Sequence, residues 1–537
     1  MDGLWLENGP FRLVRPKEVF QFNGSVSDDW RIELNPYSWH RSPAFVLYVD
    51  QPVGTGLSFT KSKTYCRNDE EVNIDFYYFL QEFLHTFSDV MVTGGSGPGR
   101  QMKRPLYFSG ESHAGHYIPS MMDYILRQND NLMTGTMSPQ PSYHDVLVKL
   151  HGAAIGNGWV DPFYQYSAHK AAYGMALIDE AQFNALADSE LECRAKLKDQ
   201  QYSSGSCFRL LDTVISGSGG NDQYKVSSYD NRMWEESGKP REFPIGHKDV
   251  EAYLGNIHQN PRSRKPSAPW TINSETVLEA IHATESIMAN QFFAECTDPP
   301  YDALSHQDGL GVVPEVVRIL DYPGVGPEQT KVRMLFFNGV NDLICNHAGN
   351  EDFLSNLPWK GTKDWTLAPR YVWNSNKANG GKPVGYMKEH ENLLFLKILN
   401  AGHMVPMDQP FVALQMMSTF MYKKSFSDAD QGLSRSDSSV SCNCPKVDCS
   451  KDFHMENRSA GPMMPDTEAN RSTAPVITGG NHAIGLAWSA ALIASLALVS
   501  YAWRRRQRTF RGEPVASATD EDFEVEDTGL EVRYRDD

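Results

Sequence analysis

Basic residues are in the minority in this chain. Its 50 Lys+Arg stand against 67 Asp+Glu, a formal net charge of −17 over 537 residues. A surface of that sign cannot displace counterions from a phosphate backbone, which excludes nonspecific nucleic-acid binding. Cysteine is scarce as well. Eight cysteines cannot staple a chain of this length into a disulfide-built miniprotein, although they suffice for a few bridges in a secreted enzyme. No internal repeat is visible, and no phosphate loop: Gly94-Gly95-Ser96-Gly97-Pro98-Gly99 lacks the Lys-Ser/Thr of a nucleotide site. No cofactor or metal is expected, because Cys442, Cys444 and Cys449 lack a fourth ligand and zinc-type spacing. What is present is apolar matter. Hydrophobic residues make up 40% and aromatics 11%, enough for a large packed core, which excludes a mainly disordered or collagen-like chain.

The run from Ala483 to Trp503 carries no charge and matches the ~20 helical residues that cross a bilayer. Tyr501 and Trp503 close it, and Arg504, Arg505, Arg506 and Arg508 follow at once. By the positive-inside rule that end is cytoplasmic. Residues 482–503 are therefore expected to be a single-pass, type I anchor, and 504–537 an acidic cytoplasmic tail. The large N-terminal part is then luminal. A luminal domain needs a signal peptide, and Met1-Asp2-Gly3-Leu4 offers no basic n-region or cleavage site. Sequence upstream of Met1 is therefore expected. Sequons at Asn23, Asn457 and Asn470 agree with a lumen and are glycosylation candidates. Residues 424–481 are rich in Ser, Asp, Asn, Thr and Pro and read as a flexible luminal stalk.

Three separated segments carry the chemistry. In the first, the apolar run Leu106–Phe108 meets Gly110-Glu111-Ser112, then small residues Ala114 and Gly115, then a helical pattern from Ile118 to Leu126. A sharp strand-to-helix turn exposes a serine hydroxyl, and small neighbours let the helix pass close to the strand. In the second, a hydrophobic strand from Val332 ends in a polar turn with Asp342. In the third, a strand from Leu394 ends at Ala401-Gly402-His403. Ser112, Asp342 and His403 thus occur in the order used by α/β-hydrolases, each just beyond a strand. A serine hydroxyl needs an imidazole to take its proton and a carboxylate to fix that imidazole. His113 and His116 are rival bases, but His113 adjoins the serine and diverges from it, so both read as structural.

These segments resemble the serine carboxypeptidase family, whose nucleophile motif is G-E-S-Y-A-G; here His113 stands in the Tyr position. Glu7-Asn8-Gly9-Pro10, Asp50-Gln51-Pro52-Val53-Gly54, Ile155-Gly156-Asn157-Gly158 and Gly402-His403-Met404-Val405-Pro406 resemble further family motifs in the family's order, over roughly residues 1–423. The resemblance implies an α/β-hydrolase fold with a mostly helical inserted cap at about 180–330. It implies an oxyanion hole built from the His113 backbone N–H and a second amide in a glycine loop that would lie before Met1. It implies that Glu7 and Glu111 bind the substrate's terminal carboxylate. Two close carboxyls cannot both ionise cheaply, so one keeps its proton and activity favours acidic pH. Cys345 and Met404 are implied as pocket-lining residues. Cys296 is implied to pair with a cysteine of the upstream loop.

Cys193 and Cys207 lie close enough in the cap to bridge each other. The anchor and acidic tail resemble the Golgi pheromone-processing carboxypeptidases of fungi, which trim C-terminal Lys and Arg. The expected function is serine-type removal of C-terminal residues from peptides or proteins with a free C-terminus, in a secretory-pathway membrane such as the trans-Golgi network. The alternatives are a family acyltransferase or esterase using the same triad, or a membrane-tethered pseudoenzyme.

Overall fold

The computed structural model describes residues 3–14, 31–42, 44–94, 99–136, 141–219, 224–236, 250, 274–291, 293–294, 297–324, 330–374 and 382–426. The chain forms two units, Met1–Pro445 and Lys446–Asp537, and every described residue lies in the first. The expected membrane span and tail, and the expected stalk beyond residue 426, with Asn23, Asn457, Asn470, Cys296, Cys442, Cys444 and Cys449, fall outside the described residues, whereas Phe426, within the range expected for the stalk, is buried against Trp373 in the body. Among the described residues no helix is long and apolar enough to cross a membrane.

The core is a six-stranded sheet. Its strands are β1 Leu106–Glu111, β2 Leu150–Gly156, β3 Arg333–Gly339, β4 Arg370–Asn374, β5 Pro383–His390 and β6 Leu393–Ile398. Their order across the sheet is β4-β5-β6-β3-β2-β1. Strands β1, β2, β3 and β6 run parallel, with Ile155 opposite Phe336 and Phe336 opposite Phe395. Strands β4 and β5 add an antiparallel edge. Strands β2 and β6 are buried along their whole length, as parallel strands covered on both faces must be.

Alternate side chains divide this sheet between two cores. Met334 and Phe336 of β3 face one cluster, with Ile118 and Met122 of helix α1 (Ala114–Thr134), Val316 and Ile319 of helix α2 (Val313–Asp321) and Phe353 of helix α3 (His347–Asn356). Leu335 and Phe337 face the other, with Val412, Met416 and Phe420 of helix α4 (Pro410–Met421). Helix α1 starts directly behind Ser112 and runs on to Thr134, longer at both ends than the sequence pattern showed, and stops at Gly135 in the left-handed conformation.

The inserted region is mostly helical in its described parts. Glu180–Lys198 begins with a capping box between Asp179 and Gln182, and a disulfide joins its Cys193 to Cys207 of Gly205–Gly219. A small hairpin, Tyr224–Val226 with Trp234–Glu236, follows. Short helices at Ser274–Ala280, Thr284–Met288 and Asp298–Leu304 complete it. Helix α2 lies within the range expected for the cap, yet it packs on α1 in the main core. Arg318 of α2 fixes it there through a bidentate pair with buried Asp123, at 2.8 and 2.9 Å. The insertion therefore rejoins the body before residue 313. Apolar residues at 316, 319 and 320 gave α2 a helical pattern, but a pattern does not say which core it faces.

Candidate active site

Strand β1 delivers Ser112 to a bend where its φ is +60°, a left-handed conformation that costs a non-glycine residue on the order of 1 kcal/mol or more. Three backbone bonds hold it there. The Ser112 N–H donates to the Gly156 carbonyl (3.0 Å), and the Ser112 carbonyl accepts from Gly115 (2.9 Å) and Trp159 (2.8 Å). The bend closes only because its neighbours are small. A Cβ on Gly110 would lie 2.6 Å from that of Ala114, and one on Gly115 would lie 2.6 Å from the Trp159 nitrogen. The His113 N–H, at the start of α1, has no acceptor among the described residues.

Asp342 sits in the turn after β3 and is fully buried, as is His403 in the loop after β6. His403 Nδ1 lies 2.8 Å from Asp342 Oδ2. The same oxygen accepts from the Asn157 amide (2.7 Å) and the Cys345 N–H (3.2 Å), while Oδ1 accepts from the Ile344 N–H (3.2 Å). A buried carboxylate with several donors can stay ionised and hold an imidazole in one tautomer. His403 Nε2 is buried and has no hydrogen-bond partner among the described residues.

Cys345 lies beside both halves of the site. Burial, followed by Asp342 and Glu111, pushes its thiol pKa well up, and the neighbouring Ser112 acts in the opposite sense. Donor atoms of Asp342, Cys345 and His403 lie within 4.8 Å of one another. These are ligand types that can bind a cation, but His403 Nδ1 already engages Asp342, so the arrangement is a hydrogen-bonded relay.

The other singled-out residues fall around this cluster. Glu111 ends β1, close enough to Cys345 to act on its thiol. Glu7 is buried, near enough to Tyr48 to raise its pKa after burial has done so. Met404 packs in one cluster with Trp5 and Leu6, which sets the segment carrying Glu7 beside the His403 loop. The rival histidines are engaged elsewhere. His116 Nε2 is 2.8 Å from Asp69 Oδ2. The His113 ring lies against His116 and Tyr117, and burial, then His116, lowers its pKa to about 4.

Sequence reasoning assigned no role to Asn157, Tyr229 or Arg232. Asn157 has φ +41°, and its side-chain oxygen accepts from the Gly339 N–H (3.0 Å). Its position one residue beyond a buried strand, between two glycines, is the only sequence signal it gave.

Comparison with known proteins places the chain in a family. The family model described as serine carboxypeptidase matches residues 1–423. The chain is 33% identical over 499 residues to the pheromone-processing carboxypeptidase KEX1 of Phytophthora infestans, covering 91% of this chain and 71% of that protein. It is 32% identical over 447 residues to a serine carboxypeptidase of Dictyostelium discoideum, covering 81% and 67%. Its fold matches the crystal structure of Kex1(delta)p, a prohormone-processing carboxypeptidase from Saccharomyces cerevisiae, with TM-score 0.57 and 24% identity over 79% of this chain and 80% of that one. The fold is thus an α/β-hydrolase core with a helical cap, and the chain belongs to the serine carboxypeptidase family.

Proposed function

We propose that this protein is a serine carboxypeptidase in which Ser112 is the nucleophile, His403 the general base and acid, and Asp342 the residue that orients His403. One observation carries the reading. A half-buried serine in the left-handed conformation neighbours Cys345, which itself sits with a buried His–Asp pair whose Nε2 has no partner among the described residues. His403 Nε2 takes the Ser112 proton as Oγ attacks the scissile carbonyl. The imidazolium then gives that proton to the leaving amine, and the C–N bond breaks. Water, deprotonated by His403, hydrolyses the acyl-enzyme and regenerates Ser112. The His113 N–H stabilises the oxyanion, a donor type worth roughly 10²–10³ in rate.

Glu7 and Glu111 bind the substrate's free carboxylate, one of them protonated, so that peptidase activity favours acidic pH. Cys345 and Met404 line the pocket. The preferred leaving residues are Lys and Arg. Support for this comes from the relatives named as pheromone-processing carboxypeptidases. It comes also from Asp308, whose carboxylate has no ion pair among the described residues and sits close to Tyr117 and Tyr166. Trp159 connects that carboxyl-bearing loop to the serine, since its indole N–H donates to the Asp308 carbonyl (3.0 Å) and its backbone N–H to Ser112. The uncharged run Ala483–Trp503 and the arginines after it support a membrane anchor with a luminal catalytic domain in the Golgi route.

The test is labelling by a serine-directed fluorophosphonate together with hydrolysis of peptides ending in a free acid or an amide. Ser112→Ala is expected to lose labelling and activity. Glu111→Gln is expected to weaken the free-acid substrates more than the amides. Labelling that persists at another serine would refute the assignment.

A further inference from the structure

We propose that the turn Ser227–Arg232 of the inserted region is a positioning clamp for the catalytic site, with Arg232 as its anchor. The inference rests on the reading of Ser112, His403 and Asp342 as catalytic. Those residues are brought in by strands of the main sheet, but the insertion supplies the bonds that fix two of their loops. The Ser228 carbonyl accepts from the N–H groups of Leu343 (3.1 Å) and Ile344 (3.0 Å), the two residues after Asp342. The next carbonyl, of Tyr229, accepts from the His403 N–H at 2.7 Å. The Tyr229 ring packs edge-on against the His403 imidazole, with centroids 5.0 Å apart. Asn231 completes the contact: its N–H donates to the Asn341 carbonyl (2.9 Å), and its side-chain oxygen accepts from the Asn341 amide (2.8 Å). A turn of a few residues thus touches the positions flanking Asp342 on both sides and the backbone of His403 itself.

Arg232 locks this turn to the His403 loop from outside. Its guanidinium holds Asp230 (Nε to Oδ1, 2.8 Å), the Asn400 carbonyl (2.8 Å) and Asp408 Oδ2 (2.9 Å). Asp408 Oδ2 in turn accepts from the Gly402 N–H at 2.7 Å, next to His403. The fit leaves no slack, since a Cβ on Gly402 would lie 2.5 Å from the Tyr229 carbonyl oxygen. A planar fork with several fixed donors is suited to such a role in a way that a lysine point charge is not. Arg232 is not assigned contact with a reacting atom in this scheme. It acts by keeping the His403 imidazole and the Asp342 carboxylate in register, where a displacement on the order of 1 Å can cost ~10²-fold in rate.

The experiment measures the rate of fluorophosphonate labelling at Ser112, kcat and KM separately, and thermal melting, for wild type, Arg232→Ala, Arg232→Lys and Asp408→Asn. Arg232→Ala is expected to slow labelling and lower kcat by roughly tenfold or more, with KM changed by no more than about twofold. Arg232→Lys should recover part of that loss. Asp408→Asn, which keeps the shape and weakens the far anchor, should show a smaller fall in kcat. If Arg232→Ala fails to melt cooperatively, Asp408→Asn decides alone. Wild-type labelling rates in the variants, or a loss confined to KM or to melting temperature, overturn the clamp. A wild type that is itself unlabelled at Ser112 sinks the catalytic reading first, and the clamp with it.

Discussion

Asn157 and His403 meet on one oxygen: both bond Asp342 Oδ2, at 2.7 and 2.8 Å, from the segments that follow β2 and β6, the two strands flanking β3. Asn157 also satisfies the Gly339 N–H at the tip of β3. It therefore links β2 and β3 and holds the Asp342 turn at the same time. Asn157→Ala would leave the buried Gly339 N–H unsatisfied and remove one donor from the carboxylate. The expected cost is about 2–3 kcal/mol in stability, with a fall in kcat. Denaturant unfolding and steady-state kinetics on the variant check this; a stability equal to wild type would contradict it.

Gly115→Ala is expected to damage the nucleophile bend. The new Cβ would meet the backbone of Gly158 and Trp159 at 2.6–2.8 Å, atoms that cannot rotate away. Helix α1 must shift, and Ser112, held through Trp159, shifts with it. Overpacking of this kind typically costs about 1–3 kcal/mol. The variant should unfold at lower denaturant and label more slowly; an unchanged midpoint would show that the bend has room to spare.

Cys345 and Cys66 are free, buried thiols. Burial is the largest cause raising both pKa values, Cys66 to about 12 with help from its bond to Asp75. The thiolate is the reactive form, so both should resist iodoacetamide at pH 8 in the native protein and react after denaturation. Peptide mapping reads this directly, and rapid native alkylation of Cys345 would mean that the thiol is more open and more acidic than its surroundings imply.

His151 is buried on β2, and burial, then Lys423 and Lys149, lowers its pKa to about 4. The unfolded chain titrates this group near 6.5, so between pH ~6.5 and ~4 the unfolded state binds more protons. Stability from this residue is therefore lost as pH falls through that window. Asp161, raised to about 6 by burial, acts in the opposite sense, since its contribution is lost as pH rises. The clean readout is thus the difference between wild type and His151→Phe. The variant should lose less stability than wild type between pH 6.5 and 4.5, and parallel melting curves would exclude the linkage.

Much of the site was legible in the sequence because its chemistry is local. Gly110-Glu111-Ser112, with Ala114 and Gly115 behind it, announces a tight strand-to-helix bend, and the apolar runs ahead of Asp342 and His403 announce strand ends. Which core each of Met334–Phe337 faces was not legible, because all four are apolar. Strand pairing was not legible, because β1 to β6 draw together segments hundreds of residues apart whose apolar runs look alike. Nor was the core that α2 faces legible, for the same reason: α2 looks like any amphipathic helix until Asp123 is placed opposite Arg318.

The sequence by itself determined the residue types, their order and the local turns, since each depends on a few neighbours. Only the tertiary structure decided that Asp342 and Cys345 come beside Ser112, that Asn157 shares the Asp342 carboxylate with His403, and that a turn of the inserted region carries the backbone bonds of both loops. Those relationships join residues 61 to more than 200 positions apart. Hydrogen bonds of that span come from packing, and no periodicity or spacing along the chain encodes them.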